Sequence, residues 1–366
     1  MNGELRRRMA PAAARLSLVA ALLISPALAS ADEFLTLGGA APGFAEVLPG
    51  APVAFPRDFG AHPGYRIEWW YVTANLRDES GRAYGAQWTL FRLGLDAAPE
   101  REGFANQSLW MAHAAATSAS EHLFAETFAR GGIGQAGVAA APFRAFIDDW
   151  SMAAPSDAEP DAGLSRLRVK AHDAAFAFTL ELRADRPIVL HGDEGYSRKS
   201  DQGQASYYFS QPFYAVEGLL TLRNETVKVT GEAWLDREWS SRPLGQGQKG
   251  WDWFSLHLAT GENLMLYRFR SETEPDYFAG TWIGADGAAQ PLAPDDIKMT
   301  PREATAIGDK SLPTSWRVEV RSHALSIETH PLNARAYNGT RSGYWEGPID
   351  FAGSHNGRGY LEMTGY

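Results

Sequence analysis

Three charged side chains lie between two tryptophans in the segment GEAWLDREWSSRPL, which spans residues 231–244. In an extended strand, Asp236 and Glu238 point to one face and Arg237 to the other, because side chains alternate. A carboxyl group beside indole rings can have a raised pKa and donate a proton. Alternatively, Arg237 forms a structural ion pair with a carboxylate such as Glu68, since a buried charge needs a partner. The residues alone leave both interpretations open.

A further acidic residue stands among aromatic residues in the segment IEWWY. Glu68 and Trp70 share one face of the predicted strand, and Trp69 and Tyr71 share the other. Glu68 can serve as a polar anchor in an aromatic-lined pocket, which makes these four residues candidates for ligand binding. The alternative is that the rings are core and that Glu68 belongs to a structural ion pair.

The segment GYSRKS follows a turn and contains Tyr196, Arg198 and Lys199. As a loop over the mouth of a pocket, it would bring cationic side chains to an anionic head group. A solvated loop pinned to an acidic neighbour is the alternative interpretation. We therefore take Tyr196 and Lys199 as candidate ligand-binding residues.

The segment GWDWFSLHL places Trp251, Trp253 and His257 on one face of a predicted strand. His257 in an aromatic cavity, or His113 in the segment WMAHAAA, can act as an acid or a base. A hydrogen-bonded, inert histidine is the alternative for each of them. These four side chains complete the candidate ligand-binding set.

Several kinds of site are not supported by the sequence. The nine histidines show neither HxH nor HExxH spacing, so we expect no metal site. The chain has no cysteine, which excludes a thiolate nucleophile, a disulfide and a lipoprotein anchor. GxSxG and GxxxxGK[ST] motifs are missing, and we expect no bound cofactor.

The composition indicates a globular, all-β protein. The 366 residues are 45% apolar and 21% charged, as in ordinary globular proteins. Aromatic residues make up 12%, in runs divided by Gly, Pro, Asn and Asp, a pattern that favours strands. The formal net charge of −10, without a basic stripe, argues against a nucleic-acid partner.

Residues 1–31 are typical of an export signal peptide. Arginines precede the apolar run LSLVAALLISPALA, and the small residues ASA at 29–31 offer a cleavage site before Asp32. An uncleaved anchor is the alternative, although the run is short for a membrane span. We expect a periplasmic or secreted protein that is not a lipoprotein.

The remaining chain divides into two series of strand-like segments. Residues 32–50 indicate an irregular lead-in, residues 51–240 an N-terminal domain and residues 241–366 a C-terminal domain. Turn signals separate segments in which apolar and polar residues alternate. Two antiparallel β-barrels fit this pattern, because closure removes exposed edges and leaves a mouth for a ligand. A pair of β-sandwiches fits the pattern nearly as well.

Three longer segments carry a resemblance to a known family: HPGYRIEWWYVTANL, GYSRKS with ASYYFS, and GEAWLDREWSSRPLGQGQKGWDWFSLHL with LMLYRFR. With the C-terminal GRGYLEMTGY, they resemble the lipocalin-like family of carotenoid 1,2-hydratase (hydroxyneurosporene synthase) over roughly residues 50–366. The similarity is greatest to its exported, ABC-transporter-associated branch. It implies two successive calycin- or lipocalin-like barrels, a pocket between or within them, and an envelope ABC transporter as partner.

The resemblance also implies a chemistry. Hydratases of this family protonate a terminal alkene with an acidic residue, and water captures the carbocation, which aromatic faces stabilise. Trp239 and Tyr267 match the family's Trp and Tyr, which implies that they stabilise the cation. Asp236 or Glu238 would then be the proton donor.

The chain departs from the hydratases at two positions, where Arg237 replaces a His and Phe269 replaces an Asp. An arginine cannot act as a base at neutral pH. We therefore expect, first, an exported protein that binds an apolar or amphipathic lipid or isoprenoid. The residues that would orient its polar end are Glu68, Asp236, Arg237 and Tyr267. The alternatives are an acid-catalysed hydratase or cyclase of polyenes and a structural accessory subunit without a ligand.

Overall fold

The protein consists of antiparallel β-sheets in a computed structural model that describes residues 42–159 and 162–366. The predicted export signal and the first part of the predicted lead-in lie outside the described residues. Within them, the regular elements are strands and short 3-10 helices. No helix in this part of the chain has the length and apolar character needed to cross a membrane.

The first sheet contains the strands β1 (Ile67–Asp78), β2 (Ala83–Gly94), β3 (Ser108–Ser118), β4 (His122–Arg130), β5 (Ala136–Ala140), β6 (Phe143–Ile147), β7 (Trp150–Ala153), β8 (Arg166–His172), β9 (Phe176–Arg183), β10 (Val189–Leu190), β11 (Tyr196–Arg198), β12 (Ala205–Leu222) and β13 (Glu225–Ser240). The second sheet contains β14 (Gln248–Leu258), β15 (Asn263–Ser271), β16 (Tyr277–Ile283), β17 (Ala289–Leu292), β18 (Ile297–Pro301), β21 (Trp316–Val320), β22 (Leu325–Pro331), β23 (Tyr337–Asn338), β24 (Tyr344–Gly353) and β25 (Gly357–Met363). A separate hairpin is formed by β19 (Ala304–Ile307) and β20 (Lys310–Pro313). The 3-10 helices span Arg57–Phe59, Gly103–Ala105, Pro294–Asp296 and Arg321–His323.

Each large sheet curls until its first strand pairs with its last. Strand β1 pairs with β2 and with β13, so that Glu68 lies opposite Trp239 and Trp70 opposite Arg237. Strand β14 likewise pairs with β15 and β25. The prediction of an all-β protein with two successive lipocalin-like barrels is confirmed. The two barrels are nearly closed, which leaves few unpaired edges.

Three apolar clusters account for most of the buried side chains. Two fill the interiors of the first and the second barrel. The third, which we call the interdomain cluster, lies where the outer faces of the barrels meet, and its buried members are Tyr71, Val189, Tyr208, Trp234, Leu244, Trp253, Met265, Tyr267, Phe269, Ile283 and Tyr360. Strands shared by an interior and the interface are therefore buried on both faces, with different side chains on each.

Hydrogen bonds fix how the two barrels meet. The amide of Asn75 on β1 donates to the carbonyl oxygen of Gly359 on β25 at 2.9 Å. The hydroxyl of Tyr360 donates to the carbonyl oxygen of Ala86 on β2 at 3.2 Å. A Cβ atom at Gly85 would collide with the Tyr360 hydroxyl, so the close approach requires glycine there.

An ion-pair network inside the first barrel holds the segment that precedes β1. The carboxylate of Glu68 accepts hydrogen bonds from the guanidinium groups of Arg92 and Arg237, all three being buried. It also accepts from the backbone N–H of His62, at 2.9 and 3.0 Å to its two oxygens. Arg92 in turn donates to the carbonyl oxygens of His62 and Tyr65 at 2.7 and 2.8 Å. The network therefore closes one end of the barrel.

The charges of this network compensate each other. Burial alone would raise the pKa of Glu68, but Arg237 and Arg92 outweigh it and hold the pKa below its ordinary value. Burial lowers the pKa of Arg237 to about 10, so the guanidinium stays charged at neutral pH. It lies over the rings of Trp70 and Trp239, 3.9 and 4.9 Å from their centroids. Of the two interpretations of Arg237, the structure therefore shows the structural ion pair with Glu68.

We expect Glu68→Gln to lower the free energy of unfolding by about 3–5 kcal/mol, because two buried guanidinium groups lose their countercharge. Urea unfolding followed by tryptophan fluorescence measures the change. The matched control is Glu217→Gln, which breaks an exposed pair with Arg183 at 3.7 Å and should cost about 1 kcal/mol or less. Equal, small effects of both substitutions would contradict a stabilising role of the network.

Candidate active site

Strand β13 is a wall between the two barrels, and its side chains alternate between them. Arg237 and Trp239 point into the first barrel, where Trp239 stacks on His62 with ring centroids 4.2 Å apart. Asp236 and Glu238 point towards the second barrel and contact residues of the interdomain cluster. The three charged residues therefore lie in two different environments: Arg237 inside the first barrel, and Asp236 and Glu238 at the interface between the barrels.

Asp236 is fully buried and accepts hydrogen bonds from three side chains. The Tyr208 hydroxyl donates to Oδ2 at 2.8 Å and the Trp234 indole N–H donates to Oδ1 at 2.6 Å. The Ser210 hydroxyl donates as well. Burial raises the pKa of Asp236 to about 7, because the loss of water outweighs these bonds and the charge of Glu238 adds to the effect. Near neutral pH, this group can therefore hold a proton that an ordinary aspartate has lost.

The partners of this carboxyl group are themselves fixed. His191 Nε2 lies 2.6 Å from the Ser210 hydroxyl, and Nδ1 lies 2.9 Å from the hydroxyl of Thr281 in the second barrel. Burial lowers the pKa of His191 to about 3, so the ring is neutral. The Trp253 indole N–H donates to the Tyr208 hydroxyl at 3.2 Å. Side chains from both barrels therefore orient the groups around the acid.

Two more carboxyl groups come from the last strands of the second barrel: Glu346 is buried, whereas Glu362 is partly exposed. The Trp251 indole N–H donates to Glu362 Oε1 at 2.6 Å, and the Tyr71 hydroxyl donates to Glu346 Oε1. Burial raises the pKa of Glu362 to about 7 and that of Glu346 well above its ordinary value, to which the nearby Glu362 contributes. We call Asp236, Glu346 and Glu362 the interdomain acids.

Lys199 and Glu238 form a buried ion pair at this interface, with Nζ 2.8 Å from Oε1. The ammonium group lies over the rings of Tyr267 and Tyr208, 4.5 and 4.9 Å from their centroids. The Tyr267 hydroxyl donates to the carbonyl oxygen of Arg198 at 2.6 Å, and burial raises its pKa. Glu238 therefore balances the charge of Lys199, and Tyr267 stays neutral.

Other predicted ligand-binding residues border the same interface. Trp69 and Trp251 are partly exposed and pack with Tyr277 against the interdomain cluster, which places them where the interface meets solvent. The ring of His257 lies edge-to-face with Trp234 at 5.9 Å between centroids. Burial lowers the pKa of His257 to about 4, so this histidine is neutral at pH 7.

Two predicted residues lie further from the interdomain acids. His113 on β3 is buried, with Nδ1 3.0 Å from the hydroxyl of Tyr344 in the second barrel. Tyr196 on β11 pairs with Tyr207 on β12. Its neighbour Ser197 faces Tyr267 at the interface, so Tyr196 points to the opposite face.

The predicted site residues thus do not form one site. Those at the interface between the barrels are Trp69, Tyr71, His113, Lys199, Asp236, Glu238, Trp251, Trp253, His257 and Tyr267. Those inside the first barrel are Glu68, Trp70, Arg237 and Trp239. Phe269 belongs to the interdomain cluster, whereas Arg237 points away from it, so the two departures from the hydratase pattern are separated in space.

Sequence reasoning missed Glu346 and Glu362, two of the three interdomain acids. The signal was present in the segments YWEGPIDF and GRGYLEMTGY, where Tyr344 shares a face with Glu346 and Tyr360 with Glu362. The opposite faces carry Trp345, Leu361 and Met363, which belong to the core of the second barrel. When one face of a strand packs in a barrel core, a carboxyl group on the opposite face is a candidate for a raised pKa if that face packs against another domain.

In residues 42–159 and 162–366 there is no group of three or more His, Asp or Glu side chains that could hold a metal ion. The interdomain acids are instead surrounded by tyrosine and tryptophan side chains. Burial keeps carboxyl groups of this kind protonated near neutral pH. The arrangement is suited to donating a proton in a water-poor, aromatic environment.

We expect Asp236→Asn to reduce the pH dependence of stability between about pH 4 and pH 7. The native pKa of about 7 exceeds the unfolded value, so the native state binds more protons in this window and the free energy of unfolding falls as pH rises. The slope lost is at most about 1.4 kcal/mol per pH unit. Urea unfolding at several pH values measures it, and Glu362→Gln should have a similar effect. Coincident slopes for all three proteins would contradict the raised pKa values.

Several solved structures are similar to the chain, among them the following three. An AttH protein from Nitrosomonas europaea is 33% identical, with a TM-score of 0.78 over 88% of this chain and 99% of that chain. Kievitone hydratase from Nectria haematococca is 16% identical, with a TM-score of 0.64 over 88% and 96% of the two chains. CghA, in a structure with Sch210972, is 14% identical, with a TM-score of 0.50 over 90% and 97%.

No curated protein sequence matches the chain. The structural similarities and a family match confirm the lipocalin-like group that the sequence motifs indicated, without distinguishing a transporter-associated branch. The family model described as AttH-like matches residues 46–366, and the chain belongs to the AttH-like family.

Proposed function

We propose that the protein catalyses acid-initiated hydration or ring closure at a carbon–carbon double bond of an apolar, unsaturated substrate bound between the barrels. The observation that carries this proposal is the set of interdomain acids, which lie among aromatic side chains, Asp236 and Glu346 being buried, and have raised pKa values. A fold does not determine a reaction, so the proposal rests on these groups. Kievitone hydratase adds water by its name, but at 16% identity its likeness supports the fold alone.

The reaction begins with a proton from Asp236. The π electrons of the alkene form a C–H bond with that proton, which leaves Asp236 as a carboxylate and the substrate as a carbocation. Tyr208 and Trp234 hydrogen-bond to the acid, Trp253 hydrogen-bonds to Tyr208, and the π electrons of these rings would stabilise positive charge on a substrate that lies against their faces. Each of these rings is neutral and already fixed by a hydrogen bond.

Two outcomes follow from the carbocation. Water adds to it and loses a proton to a carboxylate, so that one molecule of water is gained and the acid is regenerated. Alternatively, a second double bond attacks the cation, a ring closes, and loss of a proton leaves an isomer of the substrate. A pKa of about 7 suits both steps, because Asp236 and Glu362 can each give and accept a proton at neutral pH.

The structure suggests different roles for the other predicted catalytic residues. Glu238 is paired with Lys199, so it carries a fixed charge and leaves proton donation to its neighbour Asp236. Tyr267 packs beside this pair and can contribute to cation stabilisation. Trp239 points into the first barrel and supports the site only through β13.

We expect the purified protein to convert an acyclic carotenoid or a shorter acyclic isoprenoid in ¹⁸O-labelled water. The product should carry one added labelled water molecule or have the unchanged mass of an isomer, as measured by liquid chromatography and mass spectrometry. Asp236→Asn should lower the rate by about 100-fold or more, because it removes the proton donor. The exposed control Glu217→Gln should keep the wild-type rate.

Two results would count against this proposal. One is the recovery of every polyene and isoprenoid substrate unchanged. The other is conversion at an undiminished rate by Asp236→Asn and by Glu362→Gln, since both groups have a pKa of about 7 in the native protein.

A second candidate function, ligand binding, is favoured by a pocket of about 500 Å³ at one end of the first barrel. It is separate from the interdomain acids and is lined mainly by apolar side chains, among them Phe55, Phe59, Phe143, Leu164 and Ile188. Among the described residues that line it, Arg186 and Glu159 are charged. We propose that it takes an apolar or amphipathic lipid or isoprenoid, whose anionic end would meet Arg186.

We expect protein recovered from its own cell envelope to retain an apolar molecule, seen by native mass spectrometry and solvent extraction. Ala154→Trp, which fills the pocket, should lose the molecule, whereas Asp236→Asn should keep it. The chain mass also tests our proposal of a periplasmic or secreted protein without residues 1–31, and co-purification tests an ABC transporter as partner. Protein without bound molecules in repeated preparations would favour the structural accessory role.

A further inference from the structure

His191, between β10 and β11, connects the second barrel with the acid of the first. Its backbone N–H donates to the carbonyl oxygen of Tyr208 at 3.1 Å, and its own carbonyl oxygen accepts from the N–H of Gly195 at 3.0 Å. The imidazole packs on the ring of Tyr208, with centroids 4.2 Å apart. Its Nε2 lies 2.6 Å from Oγ of Ser210, and its Nδ1 lies 2.9 Å from Oγ1 of Thr281. The side chains of His191, Ser210 and Thr281 are all buried.

The register of the strands places Ser210 next to the acid. Ser210 on β12 pairs directly with Asp236 on β13. Cβ atoms of residues paired in this way lie about 5 Å apart, which is within reach of a serine hydroxyl and a carboxylate. The Ser210 hydroxyl donates to Oδ1 of Asp236. A continuous series of hydrogen bonds therefore crosses from the second barrel to the first, and its members in order are Thr281, His191, Ser210 and Asp236.

The direction of these hydrogen bonds follows from the number of hydrogens that each group has. The Ser210 hydroxyl has one hydrogen, and an ionised carboxylate only accepts, so this hydrogen points to Asp236. The Ser210 oxygen then accepts from Nε2 of His191, which places the ring hydrogen on Nε2. Burial lowers the pKa of His191 to about 3, so the ring is neutral and Nδ1 has no hydrogen. Nδ1 therefore accepts from the hydroxyl of Thr281.

The hydrogen bonds to Asp236 leave one position for a transferable proton. A carboxylate offers about four lone-pair sites, two on each oxygen. Oδ1 accepts from the Ser210 hydroxyl and from the Trp234 indole N–H, so both of its sites are used. Within the described part of the chain, Oδ2 accepts only from the Tyr208 hydroxyl, at 2.8 Å, and so keeps one site. A proton taken up by Asp236 therefore goes to Oδ2.

We propose that His191 is a positioning residue that directs the hydroxyl of Ser210 to Asp236 and so keeps the transferable proton on Oδ2. Thr281 fixes the tautomer of His191 that this role requires. Hydrogen bonds in such a series polarise one another, so contact with the second barrel contributes to the strength of the acid. This inference rests on the proposed function, because it specifies which oxygen of the acid gives its proton to the alkene.

The other ionisable groups near Asp236 do not take the place of this series. Glu238, on the same face of β13, is paired with Lys199, and as a carboxylate it has no hydrogen to donate. Burial and the two neighbouring carboxyl groups of β13 hold the pKa of Tyr208 well above its ordinary value, so its hydroxyl stays protonated. Glu362 on β25 accepts from an indole N–H of its own barrel. Donors to Asp236 lower its pKa, whereas burial and the charge of Glu238 raise it.

The tautomer of His191 tests the direction of the hydrogen bonds in the unchanged protein. With ¹⁵N-labelled histidine, NMR spectra that correlate ring nitrogens with ring protons show which nitrogen carries the hydrogen, and the signals missing from His191→Gln identify this residue. One pH unit above the pKa of Asp236, which is about 7, we expect hydrogen on Nε2. Hydrogen on Nδ1 would overturn the proposal, because Ser210 would then donate to His191 and not to Asp236.

Substitutions test the effect of the series on the acid. The pKa of Asp236 is followed by infrared absorption of its protonated carboxyl group, as the difference from Asp236→Asn. Ser210→Ala removes a donor to the carboxylate and should raise this pKa by about one to two units. His191→Leu should raise it by about one unit or less, because the hydroxyl is no longer directed. His191→Gln keeps an N–H close to the place of Nε2 and should leave the pKa near that of the wild type.

His122 provides the matched control. Its Nδ1 lies 2.8 Å from the hydroxyl of Thr117 and its Nε2 lies 2.9 Å from Oδ1 of Asn338, so it also has partners on both nitrogens. None of these three groups is among the hydrogen-bond donors to Asp236 in the described part of the chain. His122→Leu should therefore leave the pKa of Asp236 unchanged.

A purely structural role of His191 would give the same pKa of Asp236 in His191→Leu and in His191→Gln. Equal pKa values in the wild type, His191→Leu and Ser210→Ala would overturn the proposal. Should His191→Leu fail to fold, Thr281→Val decides, because it removes one hydroxyl and should populate the second tautomer of His191. No measurement uses a substrate. A protein with the expected tautomer and pKa shifts that converts no polyene would keep the positioning role and lose the proposed reaction.

Discussion

The alternation of side chains along β13 is the constraint on which the rest of the structure depends. The strand belongs to the wall of the first barrel and also faces the second, so both of its faces are buried. Arg237 therefore has to find its countercharge inside the first barrel, and it finds Glu68 on β1. Asp236 faces tyrosines and tryptophans instead, without a cation as partner among its hydrogen bonds. Asp236 and Arg237, although adjacent in the sequence, therefore lie in opposite electrostatic environments.

Those conditions explain why the interface and not the barrel interior is suited to proton transfer. Inside the first barrel, two guanidinium groups offset the cost of burying a carboxylate and keep it ionised. At the interface, no such offset acts on the interdomain acids, and burial moves their pKa values upwards. The cost of burying a carboxylate is therefore met in two ways. Inside the first barrel the carboxylate of Glu68 stays charged between two guanidinium groups, whereas at the interface the carboxyl groups hold protons.

Much of this could be predicted from the local sequence. Period-two alternation indicated the strands, the two faces of Asp236, Arg237 and Glu238, and the common face of Trp251, Trp253 and His257. Local patterns do not specify which faces meet across the chain. Glu346 lies 275 residues from the Tyr71 hydroxyl that binds it, so only the packing of the barrels brings them together. For the same reason, the alternation could not predict that Trp239 lies inside the first barrel whereas Tyr267 lies at the interface.

Because the interdomain acids lie between two domains, the contacts that stabilise the interface also control access to these acids. Each domain has its own apolar core, so the interface is free to carry polar groups that a single core would not tolerate. Its hydrogen bonds run across the boundary, from Tyr71 to Glu346 and from Trp253 to Tyr208. A substrate that enters from the partly exposed edge at Trp69 and Trp251 has to replace some of these contacts. An apolar substrate could replace contacts between aromatic faces without leaving a hydrogen-bonding group unpaired, as long as the cross-boundary hydrogen bonds stay in place.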